Sequence, residues 1–255
     1  MKRTLLMIHG MMCSPAVWDN YRGFFESRGY RCITPALRYH DAAHNDQPDA
    51  RLGTAGIEDY ADDMEKIIGS LPSPPVLMGH SMGGLIAQML AARGKAAAAV
   101  LLTPASPRGV FNLRYSVIKS FAAVMSKWKW YERPFRLGFN AMAYAMLNCM
   151  PPEKQREIYS QSVYESGRAA FQIGMWFFDK KKSTKVDYSS VKCPILVIAG
   201  KKDRIVPAGV VRSNAGRYAA AEYVELENHA HWVLGEPGWE TIAGRILAWM
   251  DANVT

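Results

Sequence analysis

Long apolar runs are missing from this chain. No stretch reaches the roughly 18 residues that a membrane-spanning helix requires, which argues against a helical membrane protein. The basic start Met1-Lys2-Arg3 is followed by an apolar run of only Leu5 to Ile8. That is too short for a secretory leader, so a cytoplasmic location is expected. Cysteine is sparse. Cys13, Cys32, Cys149 and Cys193 stand apart, with no C-x-x-C pair and no metal-ligand spacing. This excludes a disulfide framework and predicts free, mostly buried thiols, with no metal and no cofactor. Internal repeats and low-complexity tracts are also absent, which excludes solenoid architectures.

What is present is enough for one sizeable core. The 255 residues are 49% hydrophobic and 21% charged, outside the range of disordered chains. Net charge is +8, and it is concentrated. Residues 104–187 hold 14 Lys/Arg against 6 Asp/Glu, while the remainder holds 17 of each.

Apolar runs alternate with helical patterns over most of the chain, the rhythm of βαβ units and a parallel sheet. Strands are expected at Leu5–Ile8, around Cys32-Ile33, at Pro75–Met78, Ala99–Leu102, Pro194–Gly200 and Tyr223–Leu226. Between them, helices are expected from Pro15 to Gly29, along Ile57–Leu71, from Leu85 to Ala92, after Pro207, and from Trp239 to Met250. Residues 37–53 read as a polar loop, so His40 and His44 are expected in solvent. Between the fourth and fifth strands the rhythm stops. Helices are expected there around Leu113–Trp128, Pro134–Leu147, Pro152–Tyr164 and Gly167–Phe178.

The chemistry-bearing motif is Gly79-His80-Ser81-Met82-Gly83. G-x-S-x-G alone is a weak pattern. Here an apolar strand ends just before it and a helix starts just after, which makes it a nucleophile elbow. The sharp turn exposes a serine hydroxyl at a helix N-terminus, where developing negative charge is favoured. The two glycines remove side chains that would collide inside the turn.

With His9-Gly10 after the first strand, Gly200-Lys201-Lys202-Asp203 after a late one and Ala230-His231 near the end, the chain resembles the α/β-hydrolase superfamily over nearly its full length. The resemblance implies an α/β-hydrolase fold: a mainly parallel sheet of about six strands flanked by helices. Residues 1–103 and 188–255 would form the core domain and 104–187 a helical lid inserted after the fourth strand. It also implies a triad in the order nucleophile, acid, histidine. Ser81 would be the nucleophile. Asp203, in Gly-x-x-Asp-x-x-x-Pro, would be the acid; the fourth strand runs into Thr103-Pro104-Ala105-Ser106, which offers no competing carboxylate. The histidine follows from the family's Gly-His-x-x-x-x-Glu-x-Pro, counted back from Glu236, which Pro237 here follows directly. That picks His231, with Ala230 in place of the usual glycine and His229 as the alternative. His9 and His80, inside the glycine motifs, would be structural.

The backbone N–H groups of Met11 and Met82 would form the oxyanion hole. A soft, apolar substrate pocket is expected from Met12, Phe111, Trp128, Phe139, Met142, Trp176, Val206 and Trp232. Cys13 shares the loop that carries Met11. The resemblance thus implies a serine hydrolase cleaving a carboxylic ester through an acyl-enzyme, with an apolar, small-molecule acyl substrate. The alternatives are the same triad on a thioester, lactone, lysophospholipid or C–C bond, perhydrolysis, or a non-catalytic small-ligand receptor. Serine at the elbow argues against dehalogenases and epoxide hydrolases, which carry Asp there. No nucleic-acid-binding motif is present. For the basic 104–187 segment three readings stand: contact with an anionic surface, attraction of an anionic substrate such as an acyl thioester of coenzyme A, or a plain solvated exterior.

Overall fold

The computed structural model describes residues 3–41, 43–112 and 115–254. Strands β1 (Thr4–Ile8) and β2 (Arg31–Ile33) flank helix α1 (Asp19–Glu26), which a 3₁₀ turn at Pro15–Trp18 precedes. Helix α2 (Ile57–Gly69), strand β3 (Val76–His80), helix α3 (Met82–Ala92) and strand β4 (Ala98–Leu102) follow. Residues 104–187 then carry α4 (Tyr115–Met125), β5 (Pro134–Phe135), α5 (Phe139–Ala145), α6 (Pro152–Ser160), β6 (Glu165–Ser166) and α7 (Gly167–Gly174). The chain closes with β7 (Ile195–Gly200), α8 (Ala208–Ala215), β8 (Ala221–Leu226) and α9 (Trp239–Asn253).

Six strands form one sheet in the order β2-β1-β3-β4-β7-β8, every pairing parallel. A parallel sheet needs both faces covered, and the sequence supplies apolar side chains to both. Leu5 and Met7 of β1, Val76 and Met78 of β3, and Leu196 and Ile198 of β7 point to the layer formed by α1 and α9. Leu6 and Ile8, Leu77, and Ile195 and Val197 point to the layer of α2, α3 and α8. This two-residue alternation is the strand period itself. β1 lies between β2 and β3, so the chain winds outward in one direction from β1 and then in the other. Loops leaving β1 and β3 part there, opening a crevice at their carboxyl ends.

A third apolar cluster joins the 104–187 segment to this core. Phe135, Leu137, Met142, Ala145 and Leu147 pack there with Met12, Cys13 and Trp232. Three expected helices are shorter than their periodicity suggested, among them α6, which stops at Ser160 rather than Tyr164. Pro134 does not open a helix: Pro134–Phe135 pairs antiparallel with Glu165–Ser166, and α5 starts only after Gly138. α7 stops at Gly174, short of Phe178. The expected helix around Leu113–Trp128 is present as α4; its predicted first residue, Leu113, lies outside the described residues. Among the described residues no helix is long and apolar enough to cross a membrane.

α3 approaches β1 so closely that a Cβ on Gly83 would lie 2.0 Å from the Ile8 carbonyl oxygen. Backbone cannot yield as a flexible side chain can. Gly83→Ala is therefore expected to cost at least the roughly 1–3 kcal/mol typical of overpacking, read as a lower urea midpoint at unchanged m-value.

Candidate active site

Ser81 sits between β3 and α3 with φ 52° and ψ −116°. Such backbone strain persists only where surroundings over-determine it, and here they do. Its N–H donates to the Leu102 carbonyl at 3.0 Å, and its own carbonyl accepts from Gly84 at 2.9 Å and Ala105 at 2.8 Å. Gly79 and Gly83 are required by contact, since a Cβ on Gly79 would meet the Gly83 carbonyl oxygen at 2.2 Å. Met82 is the first residue of α3, so its N–H has no acceptor within the helix.

His231 and Asp203 are both fully buried at the side chain and lie against each other, Nδ1 to Oδ2 2.7 Å. A carboxylate accepts, so the proton sits on Nδ1 and the lone pair on Nε2. That Nε2 is buried and has no hydrogen-bond partner among the described residues. Asp203 is itself fixed, because its other oxygen accepts from the N–H groups of Ile205 at 2.7 Å and Val206 at 2.9 Å. His229, the alternative histidine, is not brought to Asp203; it packs against Gly238.

Buried polar groups hold the His231 loop in place. Glu236 bridges it: its carboxylate accepts from Ala230 N–H at 2.8 Å and Trp232 N–H at 3.1 Å, one on each side of His231. Burial pushes the Glu236 carboxyl above its usual range, against those two hydrogen bonds. The His231 carbonyl accepts from His80 Nε2 at 2.9 Å and from the Thr103 hydroxyl at 3.1 Å. Burial, reinforced by nearby His231, lowers the His80 pKa to about 3, so its ring is neutral. The close approach of this loop to β7 explains Gly200, where a Cβ would sit 2.0 Å from the Ala230 carbonyl oxygen.

A cavity of about 320 Å³ opens over Ser81. Met11, Met82, Phe111, Trp176 and Val206 line it, and none of its lining side chains is charged. The other expected pocket residues lie elsewhere. Met12, Met142 and Trp232 line a separate cleft of about 530 Å³, where they cement the 104–187 segment to the core. Phe139 packs edge-on against Tyr159, with Arg156 over its ring. Trp128 is 78% exposed. Helical spacing told which side chains share a face, not what that face meets. Cys13 is buried, its thiol donates to the Met11 carbonyl at 3.3 Å, and burial raises its pKa. That disfavours the thiolate on which reactivity depends. No cluster of three or more His, Cys, Asp or Glu suited to a metal occurs among the described residues.

The main surprise is His40. Far from solvent, it is buried beside Glu165, Nε2 to Oε2 3.0 Å. Its Nδ1 lies 3.0 Å from the Arg38 carbonyl, and a carbonyl only accepts. Both ring nitrogens therefore donate, and the imidazole is charged. Burial opposes that charge, but the Glu165 carboxylate outweighs it and raises the His40 pKa. Glu165 is likewise lowered despite burial, by His40 and by the Ser166 and Met12 N–H groups. It also accepts from the Tyr60 hydroxyl at 3.2 Å. Through its bond to the Met12 N–H, 3.2 Å, Glu165 holds the turn beside Met11. Sequence reasoning missed the pair because 125 residues separate its members. A lone Glu in a two-residue strand and a His in a polar loop carry no local signal.

A strained serine at a strand-to-helix elbow, at the switch point of a parallel sheet, together with a late-strand aspartate hydrogen-bonded to a histidine, is the arrangement of an α/β-hydrolase. Residues 5–241 match the alpha/beta hydrolase family, and the chain belongs to it. It is 24% identical over 237 residues to the AB hydrolase superfamily protein YisY of Bacillus subtilis (strain 168), covering 90% of this chain and 85% of that protein. In structure it is similar to a methylesterase from Arabidopsis, with TM-score 0.73 and 14% identity, covering 98% of this chain and 99% of that one. It is similar also to a pyrethroid hydrolase from Sphingobium faniae, with TM-score 0.73 and 19% identity, covering 99% and 98%.

Glu165→Gln leaves a buried imidazolium without its anion and is expected to cost about 3–5 kcal/mol. The pH dependence follows from both shifts. His40, raised, contributes stability fully present below its ordinary value of 6.5 and lost as pH rises through the raised one. Glu165, lowered, contributes stability present above its ordinary value of 4.5 and lost as pH falls through the lowered one. Urea unfolding across pH should therefore show the largest gap between wild type and variant in the window from 4.5 to 6.5, shrinking on either side.

Proposed function

We propose that this chain is a serine hydrolase that cleaves carboxylic esters with an apolar acyl group. The observation that carries this reading is the free Nε2 of His231, held by Asp203 through Nδ1, in the same fold that strains Ser81 at its elbow. His231 takes the proton from Ser81 as its Oγ bonds to the acyl carbon. The carbonyl oxygen becomes an oxyanion, received by the N–H groups of Met82 and Met11, both of which line the cavity. Preorganised donors of this kind supply a large part of acyl-transfer catalysis. Collapse breaks the bond to the alcohol, which leaves with the proton from His231. Water then attacks the acyl-enzyme, giving its proton to His231, and the acid departs with Ser81 restored. Ser81 and His231 are not hydrogen-bonded at rest, as is common before substrate binds.

The cavity supports an acyl chain rather than a charged group, since nothing charged lines it. At about 320 Å³ it lies at the small end of the ~300–1,000 Å³ typical of ligand pockets, which favours short to medium chains. Residues 104–187 act as its lid, supplying Phe111 and Trp176. The names of the methylesterase and the pyrethroid hydrolase point the same way. Against p-nitrophenyl esters of graded length, activity should peak at short to medium chains and exceed that on acyl-CoA thioesters; the reverse order would redirect the substrate assignment.

A fluorophosphonate should label Ser81 covalently, and absence of labelling would sink the proposal. Ser81→Ala should abolish turnover, with His231→Ala nearly as damaging and His229→Ala close to wild type. Asp203→Asn should lower kcat on the order of 10⁴-fold, since the amide favours the wrong imidazole tautomer.

A further inference from the structure

Every large hydrophobic side chain that is strongly exposed among the described residues lies within 104–187. Phe111, Ile118, Met125 and Phe177 are exposed and at the same time line the cavity over Ser81. Its mouth is thus an apolar lip rather than a polar rim. Tyr115 on α4 and Phe178 against Phe177 extend the apolar surface beyond it, and Trp128, three residues past the end of α4, is exposed as well, Tyr115 at 75% and Trp128 at 78%. On α4, Tyr115, Ile118 and Met125 recur on one helical face. Phe111, Trp176, Phe177 and Phe178 form a chain of ring contacts, with centroids 4.9, 5.8 and 4.5 Å apart in that order. A surface of this kind costs solubility unless something covers it.

Cations are interleaved with these side chains. Lys119 follows Ile118, Lys127 and Lys129 flank Trp128, and Lys180-Lys181-Lys182 follow Phe178 by two residues. Residues 104–131 hold five Lys/Arg and no Asp or Glu. Asp179, the acid within the second cluster, is buried and accepts from the backbone N–H groups of Lys181 at 3.3 Å and Ser183 at 2.7 Å. Exposed aromatic and aliphatic side chains set among lysines match the boundary of a bilayer with anionic headgroups, apolar groups entering the acyl region and lysines meeting phosphate. A second copy of this chain fits poorly, because the interface would set two strongly basic surfaces together. No nucleic-acid-binding motif accompanies these side chains, and the aliphatic Ile118 and Met125 at the lip suit acyl chains rather than bases.

We infer that the lip of the Ser81 cavity docks on an anionic lipid surface, so that an ester dissolved in the bilayer enters the cavity without crossing water. The docking stands independently of the chemistry, whereas the delivery of substrate rests on the esterase reading.

The test is co-sedimentation of the full chain with vesicles of phosphatidylcholine alone or mixed with phosphatidylglycerol. At low ionic strength the protein should pellet with the mixed vesicles at least about tenfold more than with phosphatidylcholine, and high salt should release it. Two variants separate the contributions. The Trp128→Ser, Phe178→Ser pair removes apolar side chains, and the Lys180→Gln, Lys181→Gln, Lys182→Gln triple removes charge. None of these residues lines the cavity. Each variant should lose most of the binding while keeping the thermal midpoint and fluorophosphonate labelling of Ser81. Equal pelleting with both vesicle types, or undiminished binding by both variants, would overturn the inference. So would a concentration-dependent dimer in sedimentation velocity that the Trp128→Ser, Phe178→Ser pair abolishes, since a second copy would then own the surface. Labelling without vesicles reports on Ser81 alone, so failure of docking and failure of the hydrolase reading are told apart.

Discussion

A carboxylate is tolerated inside a protein only where donors surround it, and this molecule uses that constraint three times, once for each loop around the site. Asp203 accepts from its own loop at Ile205 and Val206 and from His231. Glu236 accepts from Ala230 and Trp232 and so brackets His231. Glu165 accepts from Met12, Ser166, Tyr60 and His40. Each gathers backbone N–H groups that would otherwise be orphaned in a turn. Partial satisfaction would be costly, so the loops have little freedom to drift.

The three carboxylates are not equivalent. Glu236 and Asp203 act within or next to the loops they stabilise, which ties them to short motifs. Glu165 reaches from the 104–187 segment back to the turn after β1 and to α2. It couples the placement of the 104–187 segment to the geometry of the Met11–Met12 turn. The cavity and the donors that would serve an oxyanion are thus built by one buried network. The charged state of His40 follows from that network, since both of its nitrogens must donate.

The fold was legible in the chain because its signals are local and repeated. Alternation of Leu5 with Leu6 and Met7 with Ile8 is the strand period, and both faces being apolar marks a buried parallel strand. The Ser81 elbow was legible for the same reason: strand, glycines and helix follow one another without a break over Val76–Ala92. Asp203 and His231 came through the resemblance of Gly200–Asp203 and Ala230–Pro237 to a family pattern, and Glu236, which accepts from the N–H groups on both sides of His231, shows the physical reason for that spacing. Pocket lining was far less legible. Phe111, Trp176 and Val206 face the cavity; Trp128, Phe139, Met12, Met142 and Trp232 do not. An aromatic at helical spacing has the same local signature whether it faces a cavity, a neighbouring helix or solvent.

The sequence by itself determined the parallel sheet and the strained serine turn, because these depend on residue type and near-neighbour spacing. Only the tertiary structure decided that His231 rather than His229 meets Asp203 and that His40 is a buried cation against Glu165. It alone decided, too, that the apolar, basic part of the 104–187 segment rims the mouth of the site. Those outcomes depend on which distant surfaces come within a few ångströms, and contact at that range is set by packing of whole elements, not by the pattern of any one of them.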